Sequence, residues 1–289
     1  MFRVARLTAF AVMLFSISAW AVQPATLQQA QDYYNHTDYK AAISLLEQLP
    51  KNARSLELLG RCYLMDAEYK KATEALEKAV ALDPQNSMTL TWLGRAEGRR
   101  AETSMALGGI SHATKAREYL EKAVQLNPAN KDALDDLFDY YIQAPGFMGG
   151  GFDKAHKLIP LIEKLDPAEA HFATGRMAEQ RKDFDTAEAQ FRRTVELAPT
   201  SVGRMLDLAR FLAKRNRVED SERVYQEAAR ISPNSPRVIF ARAELWIQSN
   251  RNVAQARALL QKYITLNNLT PNDPQRSDAI ALLKKSGGI

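Results

Sequence analysis

With 289 residues, 46% of them hydrophobic and 25% charged, the chain carries enough apolar material for a sizeable core and lacks the composition of a disordered protein. Its formal net charge of +5, which drops to +3 without the first 21 residues, is too slight to single out nucleic acid as a partner. A single cysteine, Cys62, excludes an internal disulfide in any compartment.

The chain opens with Arg3 and Arg6, an apolar run from Leu7 to Ile17, and then Ala19-Trp20-Ala21. A basic start, a short apolar stretch and an A-x-A site are the parts of a secretory signal peptide, so residues 1–21 are expected to be cleaved. The mature protein would then start at Val22 and be periplasmic or secreted. An uncleaved N-terminal membrane anchor is the competing reading, although the apolar run is short against the about 20 residues that a bilayer span needs. No cysteine follows the cleavage region, which argues against lipid attachment, and no later stretch is apolar enough to span a membrane.

From there the sequence repeats. A shortened unit over 23–52 carries Ala30, Tyr33, Tyr39, Ala42 and Leu46 and stops at Pro50. Residues 53–86 hold the clearest unit. Leu56, Leu59 and Tyr63 fall on one helical stripe, with Gly60 beside them leaving room for a neighbouring helix. A second helical run follows with Ala72, Leu76, Ala79 and Leu82, closed by Pro84, which cannot continue a helix. A hairpin of this size cannot bury its apolar face alone and must stack on copies of itself. Cys62 is expected to be a small core residue; the other reading is a reactive or intermolecular thiol.

The third unit, 87–130, keeps the pattern (Leu90, Leu93, Gly94, then Ala116, Leu120, Ala123, Leu126, Pro128) but carries an insertion between Gly94 and Ala116. Helix formers precede Gly108-Gly109, so both helices are expected to be extended, to meet at a turn on these glycines, and to protrude. The fourth unit, 131–167, has Leu134, Leu137, Phe138 and Tyr141 and then Phe152, Ala155, Ile159 and Ile162. Its inter-helix turn holds Pro145, Gly146, Phe147, Met148, Gly149, Gly150 and Gly151, a composition that forbids α-helix. Units at 168–201, 202–235 and 236–270 follow, and 275–285 reads as a single capping helix with Ala279, Leu282 and Leu283 inward.

The residues quoted from 53–86 resemble the tetratricopeptide repeat of about 34 residues, with Leu56 in place of its Trp and Leu76 in place of its Phe. The resemblance implies an all-α, right-handed solenoid of about seven helical hairpins plus a C-terminal capping helix, forming one domain over 22–289. It also implies that first helices line a concave groove, with ligand contacts from the second, fifth, ninth and twelfth or thirteenth positions of each repeat. The ninth positions are then Gln31, Arg61, Arg95, Asp139, Arg176, Arg210 and Glu244. Asp132, Asp135 and Asp139 occupy the second, fifth and ninth positions of the fourth unit, an acidic stripe between the arginines of units three and five. Met65, Phe172, Leu206, Phe240 and Ile247 would be the groove's apolar members.

Two readings of these charges stand side by side. They form an inter-repeat ladder of ion pairs, or Arg61, Arg95, Arg176 and Arg210 grip carboxylates of a partner. At the rim, the two insertions should be neighbours, with Phe147 and Met148 either folded onto the long hairpin or awaiting a partner.

Catalytic and cofactor motifs are missing. His36, His112, His156 and His171 lack metal-ligand spacing, Gly149-Gly150-Gly151 is not followed by Lys-Ser or Lys-Thr, and the four aspartates at 132, 135, 136 and 139 lack a calcium-loop geometry. No cofactor, metal or nucleic acid is expected, nor stable membrane insertion once the signal is cleaved. The expectation is a noncatalytic periplasmic adaptor or scaffold for a protein or peptide. The alternatives are a holdase-like peptide-binding chaperone and, from another class, an enzyme or enzyme subunit.

Overall fold

The computed structural model of the chain describes residues 26–288. The signal peptide, its cleavage site and Val22 lie outside the described residues. Fifteen α-helices make up this region, with no strand among the described residues. They form seven hairpins: α1 (Leu27–Asn35) with α2 (Tyr39–Gln48), α3 (Ala53–Met65) with α4 (Tyr69–Leu82), and α5 (Ser87–Thr103) with α6 (Ala106–Leu126). Then come α7 (Lys131–Gln143) with α8 (Phe152–Leu165), α9 (Pro167–Gln180) with α10 (Phe184–Leu197), and α11 (Val202–Lys214) with α12 (Val218–Ile231). The last hairpin is α13 (Pro236–Gln248) with α14 (Val253–Ile264), and α15 (Arg276–Lys285) caps the stack. Each helix packs on the next in sequence, and first helices also touch first helices of adjoining hairpins, so the core runs as one continuous solenoid.

The repeat is written into its ends and its glycines. Asn52, Asn86 and Asn130 open α3, α5 and α7 by accepting hydrogen bonds from backbone N–H groups of the first turn, and Asp166 does the same for α9 ahead of Pro167. Inside the hairpins, a Cβ on Gly60 would stand 2.5 Å from Leu76 Cγ, and one on Gly94 2.8 Å from Leu120 Cγ. Only glycine permits that approach. In five hairpins the turn places a residue in the left-handed region: Thr37, Ala67, Lys182, Asn216 and Asn250, with φ from 52° to 62°. The next N–H then closes onto a carbonyl of the finished helix, as in Glu68 N to Tyr63 O at 2.9 Å.

The two inserted hairpins differ from the others and partly from expectation. The turn of the third hairpin falls at Ser104 and Met105, not at Gly108-Gly109, which lie in the first turn of α6. The glycines serve packing there: a Cβ on Gly109 would stand 3.1 Å from Ala101 O, so α6 runs close against the end of α5. Deeper in the same hairpin, Glu97 is fully buried, with its Oε2 2.5 Å from His112 Nδ1. In the fourth hairpin the loop condenses into a single 3-10 turn, Gly146–Met148. In the first, Tyr34 is buried and Tyr33 is 44% exposed, because Tyr34 is the ring that faces α3.

The solenoid closes on itself. Gln275 Nε2 donates to Met65 O at 3.1 Å and Arg276 Nη1 donates to Thr37 Oγ1 at 3.1 Å, so the cap meets the first two hairpins.

Candidate functional site

The first helices carry a ladder of stacked and paired side chains. Arg61 lies between the rings of Tyr34 and Trp92, 4.6 Å from each centroid, and 3.6 Å from Glu57 Oε1. Arg95 covers Trp92 at 4.7 Å and donates from Nε to Asp136 Oδ2 at 2.5 Å, with Asp132 Oδ1 3.5 Å from its Nη2. Arg176 pairs with Asp139 across the next interface, and Arg204 pairs with Glu169 while lying 3.8 Å from the Phe172 centroid. Arg210 reaches Asp207 at 3.0 Å and Glu244 at 3.8 Å.

The acidic stripe of α7 therefore does lie between arginines of adjoining repeats, and the ion-pair ladder is present. Such half-exposed pairs contribute about 0 to 1 kcal/mol each, so their main effect is to fix side-chain positions. Burial works against the Arg95 guanidinium, but Asp136 and Asp132 outweigh it and hold its pKa above the ordinary value. Asp136 is pushed up by the same burial, only partly offset by Arg95. Asp135 has no ion pair among the described residues, and burial, with Glu169 nearby, pushes its carboxyl up to about 7.

Two expected groove residues are not on the surface. Phe240 is buried because Tyr263 meets its ring at 5.4 Å and Leu269, Ala279 and Leu283 of the C-terminal segment cover the same core. Leu206 is buried beneath Val238 and Ala241 of α13. Met65, Phe172 and Ile247 remain half-buried.

Several members escaped the positions taken from the family pattern. Trp92, Asp136 and Asp207 stand at the sixth place of their repeats, one residue beyond the fifth, and Arg204 at the third. The recurrence of charge or Trp at the sixth place was a signal available in the sequence. Cys62 is buried in the core beside Leu58 and Leu59, and burial pushes its thiol up to about 12, against the thiolate form.

At the rim, the 3-10 turn is held from several sides. Tyr140 Oη donates to Met148 O at 2.8 Å, Gly151 N to Tyr141 O at 2.8 Å, and Lys154 Nζ to Gly149 O at 2.8 Å. Gly149, at φ +87°, leaves no room for a Cβ beside Arg117, so the loop sits on α6 of the long hairpin just past its insertion, and Met148 lines one cavity with Gly98, Ala101 and Glu102 of the extended α5. Met148 is half-buried, while Pro145 is exposed and Phe147 stands 79% exposed. Met105, at the tip of the long hairpin, is 91% exposed.

A cavity of about 810 Å³ lies on the inner side, bounded by α3, α5, α6, α7 and the start of α15. Among the described residues no His, Cys, Asp and Glu side chains are grouped to hold a metal ion, and no helix is long and apolar enough to cross a membrane.

Sequence profiles described as tetratricopeptide repeat match residues 35–94 and 178–238, 150–202, and 105–130. Among solved structures, a thermophilic tetratricopeptide repeat protein from Thermus thermophilus is similar over 64% of this chain and 96% of its own, at 22% identity and a TM-score of 0.54. A tetratricopeptide repeat protein from Parabacteroides merdae is similar over 90% of this chain and 96% of its own, at 14% identity and a TM-score of 0.58. No curated protein matches the chain. The chain belongs to the tetratricopeptide repeat family, and its fold is that of a protein-interaction scaffold.

Proposed function

We propose that the protein is a noncatalytic adaptor, exported to the periplasm, that captures a protein or peptide partner through its concave face and the rim insertions of the third and fourth repeats. The observation that carries this reading is Phe147. A large apolar ring is held 79% exposed on a turn that is itself fixed by hydrogen bonds. Leaving such a ring in water forgoes about 1.5 to 3 kcal/mol of burial, which a partner recovers. The pre-formed turn also spares that partner the cost of ordering it.

Capture from periplasmic extract on the immobilised protein tests this. One partner retained in fixed stoichiometry is the expected result. Many unfolded clients at variable stoichiometry would replace the adaptor with a holdase. Mass spectrometry of the exported chain is expected to find Val22 at its N-terminus; an intact start in the membrane fraction would replace export with anchoring.

A further inference from the structure

The inner cavity has a charge of its own. Four carboxylates, from Glu102, Asp136, Asp139 and Asp278, line it against two guanidiniums, from Arg95 and Arg99. Counting the partners just outside, Asp132 to Arg95 and Arg176 to Asp139, leaves the excess of two negative charges unchanged. Both lining arginines are engaged: Arg95 by two aspartates, and Arg99 by Glu102 and by Tyr69 Oη at 3.1 Å. A carboxylate entering the cavity would have to displace one of these partners. A cation would not, because an ionised carboxylate has about four lone-pair sites and each of these uses only some of them.

The walls suit a long basic side chain. Tyr69 and Trp92 already have guanidiniums over their rings, whereas among the described residues none lies over the ring of Tyr140, whose hydroxyl alone is near a cation, Arg117. Tyr140 and Met148 offer apolar surface to an aliphatic stem, and the carboxylates meet the charged head.

Resting on the reading of the concave face as the capture surface, we propose that this cavity takes a lysine or arginine side chain of the protein partner. The basic overall balance of the chain, with a pI near 9.2, makes the proposal discriminating. Non-specific attraction to the whole protein favours an acidic ligand, so preference for a basic one isolates the local field.

Gly98 supplies the test. It lines the cavity, and a Cβ added there meets nothing within 4 Å, so Gly98→Phe fills the space without a clash at its root. Fluorescence anisotropy on the full chain, using labelled and end-capped Ala-Lys and Ala-Glu decapeptides, reads the preference. The Ala-Lys peptide is expected to bind at least tenfold more tightly than Ala-Glu. Its affinity should fall with rising salt, drop tenfold or more in Gly98→Phe, and drop several-fold in Asp278→Asn, where the amide oxygen can still accept from Gln275 N. The second variant decides the matter should the first fail to fold.

No measurable Ala-Lys binding, equal or tighter Ala-Glu binding, or Ala-Lys binding that neither variant moves would each overturn the proposal. Failure of the wider adaptor reading shows elsewhere, as loss of stoichiometric capture from extract.

Discussion

Arg276 of the capping helix donates to Thr37 Oγ1 at 3.1 Å across 239 residues of sequence, and its neighbour Gln275 donates to Met65 O across 210. These two bonds join the last helix of the solenoid to its first two hairpins. Arg276 also donates to Ile264 O and Leu266 O, so its own removal would disturb the cap as well as the junction. The cleaner variant is therefore Thr37→Ala with Gln275→Ala. Each lost hydrogen bond costs about 0.5 to 1.5 kcal/mol, so the melting transition should drop only slightly. Small-angle scattering should show a larger radius of gyration, and amides following Met65 should exchange faster. An unchanged radius would mean that other contacts hold the ends together.

Two glycines on α5 make opposite predictions. Gly94 has Leu120 Cγ 2.8 Å and Ala116 O 3.2 Å from the place of a Cβ, whereas Gly98 has nothing within 4 Å. Gly94→Ala should destabilise by about 1 to 3 kcal/mol, as overpacking does. Gly98→Ala should stabilise by about 0.5 to 1 kcal/mol by removing a helix-interior glycine. Urea denaturation of the two variants checks the signs, and a loss of stability in Gly98→Ala would show that its site is occupied.

Much of this fold could be read from spacing. The hairpins, their closing prolines and the close contacts at Gly60 and Gly94 follow from local periodicity, because each repeat is held mainly by its neighbours. The misplaced turn at Gly108-Gly109 shows the limit. Glycine signals both turns and close helix contact, and only the position of α5 decides between them. The place of Phe240 in its repeat assigns it to the groove, but the last repeat lacks a successor and the C-terminal segment folds over it instead. The junction of Arg276 with Thr37 had no local signature at all, since it depends on the curvature accumulated over seven hairpins.

Asp135 should give the stability a pH dependence that can be isolated by substitution. Burial, then Glu169, raises its pKa from 3.8 to about 7, while Lys131 and Arg204 oppose the shift and Asp136 adds to it. The folded chain holds this proton more tightly than the unfolded chain does. The contribution to stability is therefore fully present below 3.8 and is lost as pH rises through about 7. Asp135→Asn removes the titration, so the difference between variant and wild type should be smallest below pH 3.8, already favour the variant at pH 5, and favour it more at pH 8. A rise in Tm of about 2 to 4 °C at pH 8 corresponds to about 1 kcal/mol for a domain of this size. A gap in Tm that stays constant from pH 5 to 8 would show that Asp135 titrates normally in the folded state.

Phe147 separates recognition from stability. With 79% of the residue in water, Phe147→Ser removes little burial from the folded chain, and exposed substitutions of this kind stay within about 0.5 kcal/mol. The bonds that hold the turn run through Met148 O, Gly151 N and Gly149 O, all backbone atoms that the substitution leaves in place. Helicity and the unfolding midpoint should therefore match wild type. If a partner buries the ring, capture loses about 1.5 to 3 kcal/mol, equivalent to an about ten- to hundredfold weaker Kd. Tyr140→Phe provides the comparison, because it deletes the hydroxyl that bonds Met148 O while keeping Phe147 itself. It should weaken capture less, by loosening the turn that presents the ring. Capture unmoved by Phe147→Ser would mean that the partner does not touch the rim, and recognition would then have to reside in the groove alone.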